Sequence, residues 1–160
     1  FGDEAAGEGG SVTAIGGDGN DTITFGDKAA YYWGTASAYG GDGNDKITFG
    51  EYAGYNNGTV TADGGAGADT FIFGAGAQNL TIDLGEGDGD QDSVTFQGSV
   101  KNTTIDNWEY GVDANIDVAD PTAWTAKVVN GNTVLTTDDE QSLTLIGITA
   151  TDLIVTDFLI

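Results

Sequence analysis

The stretch GGDGNDTITFG occupies Gly16–Gly26, and GGDGNDKITFG occupies Gly40–Gly50. A third copy, GGAGADTFIFG, begins at Gly64, so the copies start 24 residues apart. The segments between them align too: SVTAI at Ser11–Ile15, TASAY at Thr35–Tyr39, TVTAD at Thr59–Asp63 and LTIDL at Leu80–Leu84. FG recurs at Phe1, Phe25, Phe49 and Phe73. A looser unit, GDGDQDSVTF, spans Gly87–Phe96, where the spacing from Asp69 to Asp92 falls to 23. Self-similarity at a fixed period of this length marks a solenoid, in which each unit covers its neighbour's apolar face.

Each unit predicts two short strands. In strands like Thr22–Phe25, Ile23 and Phe25 point inward; in strands like Thr35–Tyr39, Ala36 and Ala38 do. This is the period-2 alternation of a half-buried strand. The glycine–aspartate run is one turn between them, and a longer loop such as Gly26–Gly34 is the other. Stacking then puts Ile23, Ile47, Phe71 and Val94 in one internal column, and Phe25, Phe49, Phe73 and Phe96 in a second. Strands that pair with their counterparts one unit away are parallel by construction. The expected fold is all-β: a parallel β-roll or β-solenoid of about four turns over residues 1–98, followed by a β-rich cap over 99–160. Of the 27 glycines, 24 lie at or before Gly98. In the remainder, AKVVNGNTVLTT predicts a hairpin turning at Asn130–Gly131, and SLTLIGITA predicts a further strand. A cap is expected because the last turn of a solenoid otherwise exposes apolar side chains and strand edges.

The 160 residues carry 26 acidic side chains against four lysines, a net charge of −22, with 39% hydrophobic and 10% aromatic content. Such a chain repels itself unless cations neutralise it. It has no basic patch to meet nucleic acid or an anionic membrane surface. Without cysteine it holds neither disulfides nor thiolate metal sites. No stretch approaches the ~18 apolar residues of a membrane span, and no N-terminal signal peptide is visible. Phe1 falls in register with Phe25 and no methionine is present, which leads to the expectation of a piece of a longer parent.

The Gly–Asp runs carry chemistry. Glycine permits positive φ and close backbone approach, so a turn aims successive carbonyls at one point. The final Asp adds a carboxylate. Carbonyls and carboxylates without imidazole or thiolate make a hard oxygen site suited to Ca²⁺, but one loop has too few oxygens for 6–8 coordination. Stacked loops supply the rest. Asp21, Asp45, Asp69 and Asp92 form a ladder with three gaps, so about three or more calcium ions are expected, with end sites at Asp88 or Asp90. Simple flexible turns are the competing reading. A column of unneutralised aspartates about 5 Å apart would be strongly destabilising, which argues against it.

GGDGNDTIT and GGDGNDKIT resemble the GGxGxDxUx nonapeptide of RTX proteins. The resemblance covers about Phe1–Phe96 and implies a parallel β-roll with calcium bound between turns by alternate loop carbonyls and the final Asp. It places ligands at Gly16, Asp18, Asn20 and Asp21, at Gly40, Asp42, Asn44 and Asp45, and at Gly64, Ala66, Ala68 and Asp69. Two features depart from the family pattern. The second side of each unit carries a longer, non-motif loop, where Asp27 and Glu51 read as solvated surface charge. Gly87–Asp92 lacks the second glycine. The ending DFLI, Asp157–Ile160, resembles the C-terminal signals of type I secretion substrates, which implies the type I secretion machinery as a partner and a secreted or bacterial cell-surface location.

The functional expectation is a non-catalytic, calcium-dependent structural module of S-layer or adhesin type that folds on export and self-associates. Two alternatives stand beside it: the export and folding tail of a secreted protease, lipase or epimerase, and an ice-binding solenoid built on the outward Thr and Ser pairs. There is no His or Cys and no serine in a nucleophile motif; carboxylates such as Asp106 and Glu109 read as cap or surface groups. The aromatic loops Tyr31–Trp33 and Tyr52–Tyr55 are expected to be exposed on the side away from the Gly–Asp turns.

Overall fold

A computed structural model describes residues 1–85, 89–109, 112–114, 116–148 and 159–160. Two sheets form from strands that alternate along the chain. Strands β1 (Ser11–Asp18), β3 (Thr35–Asp42), β5 (Thr59–Ala66), β7 (Ala77–Asp83) and β9 (Val100–Asp106) lie side by side in one sheet. Strands β2 (Thr22–Phe25), β4 (Lys46–Phe49), β6 (Thr70–Phe73) and β8 (Ser93–Phe96) make the other. All pair in parallel, each with its copy one unit away, so Val12 faces Ala36 and Ile23 faces Ile47. The chain is a parallel β-solenoid of about four turns with a period of about 24 residues.

The columns expected from the repeat are present. Ile23, Ile47, Phe71 and Val94 are in register and buried, as are Phe25, Phe49, Phe73 and Phe96. Phe1 continues the second column: successive ring centroids from Phe1 to Phe96 are 4.7, 4.7, 5.7 and 5.5 Å apart. The first two spacings match the ~4.8 Å between paired strands; the last two are wider, and the Phe73 and Phe96 rings are tilted by 24°. Across the core, Ala36, Ala38 and Ala62 leave room for these rings.

The loops opposite the Gly–Asp turns are as regular as the strands. Lys28, Ala30, Tyr32 and Trp33 have positive φ, as do Tyr52, Gly54, Asn56 and Asn57 one unit on. Backbone bonds tie the layers here too: Lys28 N donates to Glu51 O, Gly54 N to Ala29 O and Tyr32 N to Tyr55 O. A non-glycine residue in the left-handed region costs about 1–2 kcal/mol; these layer-to-layer bonds, repeated along the stack, offset it. At Gly58 a side chain has no room, because a Cβ there would run into the Ala30 carbonyl.

The C-terminal region extends the larger sheet. Strand β12 (Ser142–Leu145) pairs in parallel with β9, and β11 (Asn132–Thr136) and β10 (Thr125–Val129) follow as an antiparallel meander. Asn130 and Gly131, both at positive φ, make the expected two-residue hairpin turn. Thr149 and Ala150 of the last expected strand, and Asp157 and Phe158 of the terminal signature, lie outside the described residues. Leu159 is buried and bridges to Ile116. Among the described residues no helix is long and apolar enough to cross a membrane.

Candidate metal centre

The Gly–Asp runs stack along one side of the solenoid, between the first-sheet strand and the second-sheet strand of each turn. The first half of each run remains in the ladder: Gly17 pairs with Gly41 and Gly41 with Gly65, as Asp18 pairs with Asp42 and Asp42 with Ala66. The turn is therefore shorter than the sequence suggests, because glycines at φ near +100° let the backbone bend without leaving the sheet register.

The motif glycines serve two different purposes. Gly17 and Gly19 have φ of 108° and 101°, a conformation that demands glycine. Gly16 does not; its reason is space. A Cβ on Gly16 would stand 2.5 Å from the Gly40 carbonyl oxygen and 2.7 Å from Asp21 Oδ2. One layer on, Gly40 is crowded in the same way by the Gly64 carbonyl and Asp45 Oδ2. Carbonyl and carboxylate oxygens of two layers thus converge on the first glycine of the run.

The aspartates form a continuous ladder. Asp21 N–H donates to Asp45 Oδ1, Asp45 N–H to Asp69 Oδ1 and Asp69 N–H to Asp92 Oδ1, each at 2.7 Å. Asp45, Asp69 and Asp92 are at most 3% exposed. The second oxygen, Oδ2, of Asp21 and of Asp45 is buried without a hydrogen-bond partner. A buried anionic oxygen left unpaired is costly. Among the described residues the lysine–carboxylate ion pairs, Lys28–Glu4 and Lys101–Glu140, both lie away from these aspartates.

The ladder has one rung that the motif does not announce. Asp92 N–H donates to Asp113 Oδ1 at 3.0 Å, and Asp113 Oδ2 accepts from Glu109 N–H at 2.6 Å. Asp113 lies in a segment without Gly–Asp pattern; its only sequence signal is an aspartate 21 residues after Asp92. Backbone donors hold both of its oxygens, so the protein itself caps this end of the ladder.

Of the other expected ligands, Asp18 and Asp42 point their side chains to solvent, and the Asp42 and Ala66 carbonyls accept from Gly19 N and Gly43 N of the preceding layer. Asn20 Oδ1 accepts from Asn44 N–H and Asn44 Oδ1 from Ala68 N–H, so these amides brace the layers. Asp90 is exposed, and Asp88 lies outside the described residues. Among the described residues no three carboxylates gather at one point. A cation between layers would take one or two carboxylates and draw the rest of its oxygens from carbonyls, a donor set that suits hard divalent ions.

On the opposite side, Asp3 and Asp27 repeat the device in reverse: Asp27 N–H donates to Asp3 Oδ1 and Glu51 N–H to Asp27 Oδ1. These carboxylates are exposed, as the reading of Asp27 as surface charge implies. On the outer face of the larger sheet, Asp63, Asp83 and Asp106 stand in register. Partial burial, with the Asp83 charge beside it, raises the Asp63 carboxyl above its ordinary range, and a bond from Gly65 N–H only partly opposes this.

Comparison with known proteins gives no match: no family model, no curated protein and no solved structure aligns with the chain.

Proposed function

We propose that the chain is a calcium-binding structural module of RTX type, in which Ca²⁺ held between stacked Gly–Asp turns completes the fold. The observation that carries this reading is the buried, unpartnered Oδ2 of Asp21 and Asp45, each crowding the first glycine of its run together with a carbonyl of the next layer, in a chain of net charge −22. Cations there would turn a column of repelling carboxylates into the ligands that join one layer to the next. The residues that would hold them are Asp21, Asp45, Asp69 and Asp92 through their carboxylates, with the carbonyls of Gly16, Gly40, Gly64 and their neighbours. Because the ligands come together only in the folded chain, binding free energy is folding free energy. A chain of this kind stays open where calcium is scarce and closes outside the cell, at calcium concentrations of ~10⁻⁴–10⁻³ M.

The test is a calcium titration of the EDTA-treated chain followed by far-UV circular dichroism. A cooperative gain of β signal with a sub-millimolar to millimolar midpoint is expected, and Mg²⁺ at equal concentration is expected to fail because it demands a tight octahedral site. Full β signal in excess EDTA refutes the reading. Self-association belongs to the same proposal.

A further inference from the structure

We infer that the loop side opposite the Gly–Asp turns binds an uncharged saccharide. A cavity of about 460 Å³ opens there between the Gly50–Gly58 loop and the start of β7. That volume falls within the range of small-ligand sites, roughly 300–1,000 Å³. Tyr52, Tyr55, Asn57, Gln78, Asn79 and Lys101 are among its walls.

Acidic side chains make up 26 of 160 residues, yet none lines this cavity. A second hollow of about 380 Å³ shares Asn57 and Asn79 and adds threonines and Asn102, again without a carboxylate. The one charged wall residue, Lys101, has its ammonium 3.4 Å from the exposed Glu140 carboxylate. Together the two hollows form a groove of amides, hydroxyls and two tyrosines.

The parts are held in place. Tyr52 and Tyr55 meet edge to face, with centroids 5.9 Å apart. The Tyr52 ring lies so close to Gly76 that a Cβ there would stand 2.7 Å from it. Asn79 is fixed by its Nδ2 donating to Gly54 O at 3.0 Å and its Oδ1 accepting from Asn102 at 2.7 Å. No hydrogen bond to another described residue is seen for the side-chain amides of Asn57 and Gln78. A primary amide offers a donor and an acceptor side by side, which matches a pair of vicinal hydroxyls. An aromatic ring offers a flat apolar face to the C–H side of a pyranose. An anionic sugar is disfavoured by the net charge of −22 and finds no unpaired cation in the walls.

The site does not use the Gly–Asp turns, so its test is separable from the calcium reading. The full chain, in saturating calcium and with its β signal verified, is titrated with maltose, chitobiose, lactose and, as an acidic probe, digalacturonate, while ¹H–¹⁵N shifts are followed. Saturable shifts centred on Asn57, Gly76 and Gln78 with at least one neutral disaccharide are expected, together with binding at least tenfold weaker for digalacturonate. Gln78→Ala and Tyr52→Ala are each expected to weaken binding at least fivefold. Tyr52→Phe, which keeps the ring face, is expected to retain it. The absence of saturable shifts with all three neutral sugars overturns the proposal, as does tighter binding of digalacturonate. Binding that survives both alanine substitutions in chains of unchanged β signal also overturns it.

Discussion

Replacing Asp45 by Asn tests the ladder at its centre. Asn is nearly isosteric and keeps Oδ1 as an acceptor, so the 2.7 Å bond from Asp21 N–H survives. What disappears is one negative charge and one anionic ligand oxygen. Asp45 is 3% exposed and lies between Asp21 and Asp69. Each neighbour is about one strand spacing away, ~4.8 Å. At an effective dielectric constant of ~20 each such pair repels by about 3.5 kcal/mol, so the substitution removes about 7 kcal/mol of repulsion from the metal-free stack. This is comparable with the whole stability of a typical domain, ~5–15 kcal/mol. Two opposite effects are therefore expected in one protein. In EDTA, Asp45→Asn gains β signal over the parent chain. In the calcium titration its midpoint moves at least tenfold higher, because two inter-layer gaps each lose a carboxylate. Asp27→Asn, on the exposed opposite side, serves as the control and should leave the midpoint within twofold. If Asp45→Asn behaves like Asp27→Asn in both measurements, the carboxylate ladder is not the calcium site and the argument fails.

Two further outcomes follow from other parts of the molecule. Phe49 is fully buried between Phe25 and Phe73, so Phe49→Ala should cost about 3–5 kcal/mol, read as a lower urea midpoint in saturating calcium. Asp63 has its carboxyl raised by partial burial, with Asp83 beside it, so the folded chain holds this proton more tightly than the unfolded chain. Its contribution to stability is present at acid pH and is lost as pH rises through the raised value. Asp63→Asn should thus stabilise the calcium-loaded protein at pH 7 by under about 1 kcal/mol, the scale of partly screened charge pairs, and thermal melts should show the gain shrinking as pH falls toward 4.

Much of the fold was legible because a solenoid writes its geometry into its period. A 24-residue repeat fixes which residues stack, and alternation within Thr22–Phe25 and Thr35–Tyr39 fixes which ones face inward. The parallel pairing, the two aromatic and aliphatic columns and the Asn130–Gly131 hairpin all follow from such local rules. Asp113 was not legible, since it joins the ladder through a segment whose backbone no longer repeats. Nor was the order of the long loops, where alternating left-handed residues such as Lys28 and Ala30 are stabilised only by the layers on either side.

The sequence by itself determined the solenoid, its register and the oxygen-rich character of the Gly–Asp side, because repetition turns one local pattern into a three-dimensional lattice. Only the tertiary structure decided why the first glycine of each run must be glycine, which aspartate oxygens are left buried, and that a carboxylate-free groove lies on the far side of an acidic chain. Those properties depend on what the adjacent layer and the adjacent loop bring within a few ångströms, and sequence spacing carries no record of that beyond the repeat.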